Sequence, residues 1–207
     1  EWLKYPVVET VYPGPWTIVT AKSFPGEMTW VNKIFWRGQA VAELGFVVVT
    51  LDGPGTPYRS KEFHDAGYGR LGDAGGLADH VHALQQLAEE RPYMDLDRVG
   101  IFGHSAGGFM TAQALLTYPD FYKVGVASSG DYDSRFYASY WGEKYEGLKP
   151  DYDEQITALK AENLTGNLLL VTGDVDDNVN PCMTMQLVDA LIAADRSEER
   201  RVGKECR

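Results

Sequence analysis

Cysteine is scarce: Cys182 and Cys206 are the only two in 207 residues. They lie far apart and form neither a C-x-x-C pair nor a zinc-ligand spacing, so a disulfide scaffold and a cysteine-rich metal cluster are both excluded. Long apolar runs are missing too. No stretch approaches the ~20 residues needed to cross a bilayer, and no membrane span is expected. Positive charge is in deficit, with a net charge of -11. A nucleic-acid surface needs clustered Lys and Arg to displace counterions from phosphates, so that class of partner is excluded, and the acidity serves solubility instead. The first residues carry no basic start and apolar core of a signal peptide, and nothing else in the sequence assigns a compartment. Internal repeats, low-complexity tracts and linkers are absent from residues 1–195, which read as one partial domain. The chain is long enough to bury roughly 70% of its unfolded surface. The segment 196–207 differs: R-S-E-E-R-R-V-G-K-E-C-R has five basic residues and one aliphatic. It is read as a non-native tail and left out of the fold.

What is present centres on Gly103-His104-Ser105-Ala106-Gly107-Gly108. The apolar run Val99-Gly100-Ile101-Phe102 precedes it and a helix-forming stretch from Phe109 to Leu116 follows. A G-x-S-x-G pentapeptide alone says little, but between a strand and a helix it reads as a nucleophile elbow, which lifts a serine above a sheet. Glycines two before and two after Ser105 suit the close approach of strand and helix that the turn imposes.

The remaining pattern alternates strands and helices. Strands are expected over 5–12, 46–51, 99–102, 124–128 and 167–172, and helices over 38–44, 77–90, 106–117, 151–161 and 181–194. Residues 52–76 form the longest stretch without clear periodicity, and the register of the aromatic segment 132–145 is unassigned. This order predicts an α/β-hydrolase fold: a doubly wound, mainly parallel sheet with helices on both faces, lacking its last strand and helix. Ligands bind such sheets beyond the carboxyl ends of the strands. Tyr12, the loop from Asp52, Ser105, Ser129-Gly130-Asp131 and Asp174-Val175-Asp176-Asp177 all fall there.

A serine hydroxyl is a poor nucleophile at neutral pH and needs a base and an orienting acid. In this fold the chain order is serine, acid, histidine, with the acid just after a later strand. Thr172-Gly173-Asp174-Val175-Asp176-Asp177-Asn178-Val179 occupies that place. Asp176 is the preferred acid, although three aspartates within four residues leave the spacing ambiguous. Simple surface solvation is the alternative for Asp174 and Asp177.

Tyr5-Pro6 through Tyr12-Pro13-Gly14-Pro15, the G-H-S-A-G-G elbow and G-D-V-D-D-N-V together resemble the catalytic domain of prolyl oligopeptidase family serine peptidases, nearest the dipeptidyl peptidase IV branch. The likeness runs over most of residues 1–194. It implies that Asp176, first of the D-D-N-V run, is the acid. It also implies that Tyr12 and the Ala106 N–H form an oxyanion hole, although Tyr12 alone reads as a strand-end aromatic. Tyr137, Trp141 and Val179 would wall a small apolar pocket for proline or another small residue, and Asn178 would bind a substrate carbonyl. Trp141 stands where tyrosine is usual, which puts strict proline preference in question. The aromatics of 132–145 otherwise read as core. The resemblance calls for no cofactor and no metal. It implies a peptide substrate and an amino-terminal β-propeller elsewhere in the full-length protein, and allows a homodimer.

One departure is decisive. All four histidines, His64, His80, His82 and His104, precede Asp176. A helix of ~12 residues, a strand of ~5 and their loops should separate acid from base, placing the histidine about 25 to 35 residues after Asp176, at or beyond the last residue. The expectation is therefore a peptidase domain that forms an acyl-enzyme on Ser105 but lacks its base, and is inactive or weakly active as it stands. Two other readings stay open: an esterase or acylaminoacyl peptidase of the same fold, and a non-catalytic binding module.

Overall fold

The computed structural model describes residues 3–20, 30–148 and 152–196. Five strands form one sheet, every pair parallel: β1 (Tyr5–Val11), β2 (Val47–Val49), β3 (Met94–His104), β4 (Tyr122–Ser128) and β5 (Asn167–Val171). Their spatial order is β2-β1-β3-β4-β5. The chain starts at β1, steps to β2 on one side, and then crosses to β3 on the other. The winding thus reverses between β1 and β3, which makes their carboxyl ends the topological switch point where open α/β sheets hold their ligands.

The longer helices are α1 (Trp30–Ala42), α3 (Leu77–Glu90), α4 (Ala106–Thr117) and α6 (Pro181–Ala193), with the shorter α2 (Lys61–Asp65) and α5 (Ser139–Glu146) between them. Strand register assigns them to faces. Val7, Ile101, Gly125 and Leu168 project to one side, as alternation and pairing require. On that side Gly125 faces Leu115 and Thr111 of α4. Leu77 and Leu84 of α3, most of α4, and Met183, Leu187 and Leu191 of α6 share one core there. The opposite side is covered by α1, whose Gly38 meets Val48 and Thr10. Cover stops at that end of the sheet: Val124, Leu169 and Val171 on the same side are 49%, 57% and 44% exposed. Helices therefore do lie on both faces, unevenly.

Several boundaries differ from those read in the sequence. The third strand starts at Met94 and not at Val99, because Tyr5 and Pro6 pair with Met94 and Asp95 before a bulge resets the register at Val7 and Val99. The aperiodic stretch 52–76 contains α2, capped by Ser60 accepting from the Phe63 N–H at 3.1 Å, and a 3-10 turn at Leu71–Asp73. Residues 153–163 form two 3-10 segments where an α-helix was expected. The aromatic segment resolves into a 3-10 turn at Ser134–Phe136 and α5. Apart from Arg196, the tail reading lies outside the described residues.

Candidate active site

Ser105 follows β3 directly and caps α4, with φ 59° and ψ -124°. A positive φ in a non-glycine residue is strained and persists only where the surroundings dictate it. Here they do. A Cβ on Gly103 would lie 2.3 Å from the Gly107 carbonyl oxygen, and one on Gly107 would lie 2.3 Å from that of Val11. Strand β3, the start of α4 and the end of β1 are in backbone contact, so neither glycine can carry a side chain. The Ser105 N–H donates to the Ser128 carbonyl at 2.8 Å, fixing the turn to β4 as well.

Tyr12 is the first residue past β1, and its hydroxyl hydrogen-bonds with Ser105 and with Trp16. The rings of Tyr12 and Trp16 meet edge to face at 5.8 Å. Burial raises the phenol above its ordinary pKa and outweighs those two bonds, so Tyr12 stays a neutral donor. The segment beyond it is tied down from the long loop. Asp52 accepts from the Val19 N–H at 2.7 Å, from the Thr20 N–H at 2.9 Å and from the Thr20 hydroxyl, while His64 Nε2 bonds the Pro15 carbonyl at 2.8 Å. The Ala106 N–H opens α4, where the first amides have no partner within the helix.

Of the three aspartates after β5, Asp176 alone is half-buried; Asp174 and Asp177 are exposed. Burial would raise the Asp176 carboxyl, but the N–H groups of Val179 (2.9 Å) and Asn178 (3.0 Å), with the Ser129 hydroxyl, hold it below the usual carboxylate range. It is ionised and rigidly aimed. Asn180 then caps α6 by accepting from the Cys182 N–H at 3.0 Å.

Tyr12, Ser105, Ala106, Tyr137, Trp141 and Asn178 border one cavity of about 330 Å³. Tyr137 and Trp141 pack edge to face at 5.7 Å, and the Tyr137 hydroxyl donates to Asn178 Oδ1 at 3.2 Å. Val179 is different. It is buried in the core with Met183 and Leu187 and does not border this cavity. Trp16, Asp131, Tyr140, Lys144 and Tyr145, to which the sequence assigned no role, do. Position at a strand end was a signal for Asp131; the α5 residues gave none, because their helical register was unassigned.

No histidine bridges Ser105 and Asp176. His64 bonds Pro15; His80 Nδ1 meets Glu9 at 2.6 Å inside the core; His82 is exposed on α3. His104 lies on the α1 side of the sheet, where its Nδ1 bonds Ser128 Oγ at 3.0 Å and burial, then the Arg37 charge, lowers its pKa. Among the described residues no cluster of three or more His, Cys, Asp or Glu could hold a metal.

The chain is 32% identical to mouse dipeptidyl peptidase 8 over 207 aligned positions, covering 96% of this chain and 22% of that protein. It is 31% identical to a protein named "Probable dipeptidyl peptidase 4" of Neosartorya fischeri, covering 95% of this chain and 26% of that one. The crystal structure of a protein assigned as a dipeptidyl aminopeptidase IV from Bacteroides ovatus superposes with a TM-score of 0.79 at 31% identity, over 94% of this chain and 27% of that chain. The chain thus spans about a quarter of the length of these relatives. The model of the prolyl oligopeptidase family matches residues 32–203, and with the strained serine at the switch point the conclusion is direct: the chain belongs to the prolyl oligopeptidase family.

Proposed function

We propose that this chain carries the nucleophile, oxyanion donors and acid of a serine peptidase of the dipeptidyl type. The observation that carries the reading is the strained backbone of Ser105, held at the switch point within hydrogen-bond reach of Tyr12. Ser105 Oγ attacks the substrate carbonyl carbon as its proton passes to an imidazole. The carbonyl oxygen becomes an oxyanion and takes bonds from the Tyr12 hydroxyl and the Ala106 N–H. Collapse breaks the C–N bond, the imidazolium returns the proton to the departing amine, and an acyl-enzyme remains on Ser105. Water, activated by the same base, then releases the acid product. Asp176 orients the imidazole and offsets its charge.

The four histidines present are engaged or placed elsewhere, so we assign the base to sequence beyond Asp176 that this chain does not encode. Asn178 is the donor for a substrate carbonyl, and Tyr137 with Trp141 the wall for the side chain next to the cleaved bond. The additional length of the relatives is where we place a β-propeller, and pairing of two copies is compatible with the reading.

The test is hydrolysis of aminoacyl-prolyl, aminoacyl-alanyl and aminoacyl-seryl anilides, acyl-alanine anilides and short-chain esters by the chain and by a version extended through the codons that follow it. Turnover of the free-amine dipeptide substrates by the extended protein, lost in Ser105→Ala, is expected. Turnover of esters or blocked substrates alone would replace the dipeptidyl reading with an esterase or acylaminoacyl peptidase. No turnover of any kind would leave a binding module.

A further inference from the structure

Asp131 borders the same cavity as Ser105 and Tyr12, yet none of the roles above uses it. It is 7% exposed, and its Oδ1 has no hydrogen-bond partner among the described residues. Native interiors keep few such groups, because an unpaired buried oxygen forfeits its hydration for nothing. The segment is able to satisfy a buried carboxylate when the role is structural. Two residues on, Asp133 is 2% exposed and takes both arms of the Arg135 guanidinium, at 2.9 and 2.6 Å, together with the Arg135 N–H at 3.1 Å.

The donors around Asp131 make their contacts elsewhere, and none of them bonds Oδ1. The Tyr12 hydroxyl bonds Ser105 and Trp16, the Tyr132 hydroxyl donates to the Ala127 carbonyl at 3.4 Å, and the Tyr137 hydroxyl donates to Asn178. The Lys144 ammonium sits over the Tyr145 ring at 5.0 Å. Oδ1 itself is sealed, but the residue borders the cavity, so a small rotation of the carboxyl toward it is the route to a partner. The cavity walls are aromatic, which suits an alkyl stem, and aromatic faces also tolerate a cation.

We propose that Asp131 is a specificity-determining residue, whose Oδ1 accepts from a hydroxyl or ammonium at the tip of the substrate side chain next to the reacting carbonyl. The inference rests on the peptidase reading of Ser105. It moves the preference away from proline, which has no side-chain donor to offer, and agrees with Trp141 standing where tyrosine is usual.

The experiment uses dipeptide boronic acids, which add reversibly to a serine Oγ and report binding without turnover. Matched pairs differ only at the side chain beside boron: serine-type against alanine-type, and lysine-type against norleucine-type. Each is titrated into the protein extended through the codons that follow, so that its base is present, and into variants of that protein. The donor-bearing member of each pair should bind about tenfold more tightly. Asp131→Leu should bring both ratios to about one, and Asp131→Asn should keep the hydroxyl preference while losing the ammonium preference. Burial pushes the Asp131 carboxyl up to about 7. The titratable groups facing it are Tyr12, Tyr132, Tyr137 and, from α5, Tyr140, Lys144 and Tyr145. The lysine-over-norleucine ratio should therefore grow from pH 6 to pH 8, which a structural carboxyl would not cause. Ratios near one in the parent chain, or ratios unchanged in Asp131→Leu and Asp131→Asn, overturn this inference and leave the peptidase reading standing. Absence of boronate binding, or binding that survives Ser105→Ala, removes the peptidase reading and this inference with it.

Discussion

Ser105 holds a backbone conformation that glycine adopts freely and serine does not. Ser105→Gly should therefore raise stability by about 1 kcal/mol in urea unfolding while abolishing boronate binding. The opposite holds two residues later. Gly107→Ala would drive a methyl onto the Val11 carbonyl and should cost about 3 kcal/mol, read in the same titration. Asp131 gives a pH signature. Its folded carboxyl titrates near 7, above the ~3.9 of an unfolded aspartate. Between those values the folded state holds a proton that the unfolded state has released, so stability falls as pH rises from about 4 to about 7. Asp131→Asn should flatten the melting temperature across that window. Asp176 works in the other direction: its folded pKa is lowered, so its contribution is present above the unfolded value and is lost on acidification through the folded one.

At the scale of elements, a buried polar set ties β1, α3 and β4 together. Glu9 meets His80 through one oxygen and accepts from the Tyr122 hydroxyl at 2.8 Å through the other. Removing His80 alone leaves the buried Glu9 Oε1 without its partner, whereas removing both leaves only the Tyr122 hydroxyl unpaired. His80→Leu should thus cost about 3 kcal/mol in denaturant unfolding, and Glu9→Leu combined with His80→Leu should cost less than His80→Leu alone. No sequence pattern announces this set, since a Glu in a strand and a His on a helix meet only once the crossover has closed. The helices 77–90, 106–117 and 181–194 were legible almost to the residue because the first and last have an apolar face, the middle one is apolar nearly all round, and their ends are clear, such as Asn180-Pro181 before α6. Asp176 was preferred from its place after a strand and from the resemblance, because spacing does not separate three neighbouring aspartates; what sets it apart in the structure is its half-burial and its bonds from the Asn178 and Val179 N–H groups. The register of 132–145 was illegible because its aromatics line a cavity, and a cavity imposes no helical or strand period.

For the whole molecule, the uneven cover of the sheet matters most. Strand β5 pairs only with β4 among the described strands, and Val124, Leu169 and Val171 leave an apolar strip beside its open edge. Such edges and patches promote association. The isolated chain should self-associate at micromolar concentration, and Leu169→Lys with Val171→Lys should lower both its light scattering and its binding of an apolar dye. No described helix is long and apolar enough to cross a membrane. The strand order carries one last consequence. Tyr12 leaves β1 and Ser105 leaves β3, and all of β2, α2 and α3 is synthesised between them. Their meeting is a contact of high sequence separation, which forms late because a long loop must close first. A chain emerging from the ribosome therefore carries a harmless serine until the sheet has assembled around it, and in the extended protein reactivity toward an acylating probe during refolding should appear together with global folding, with no earlier phase.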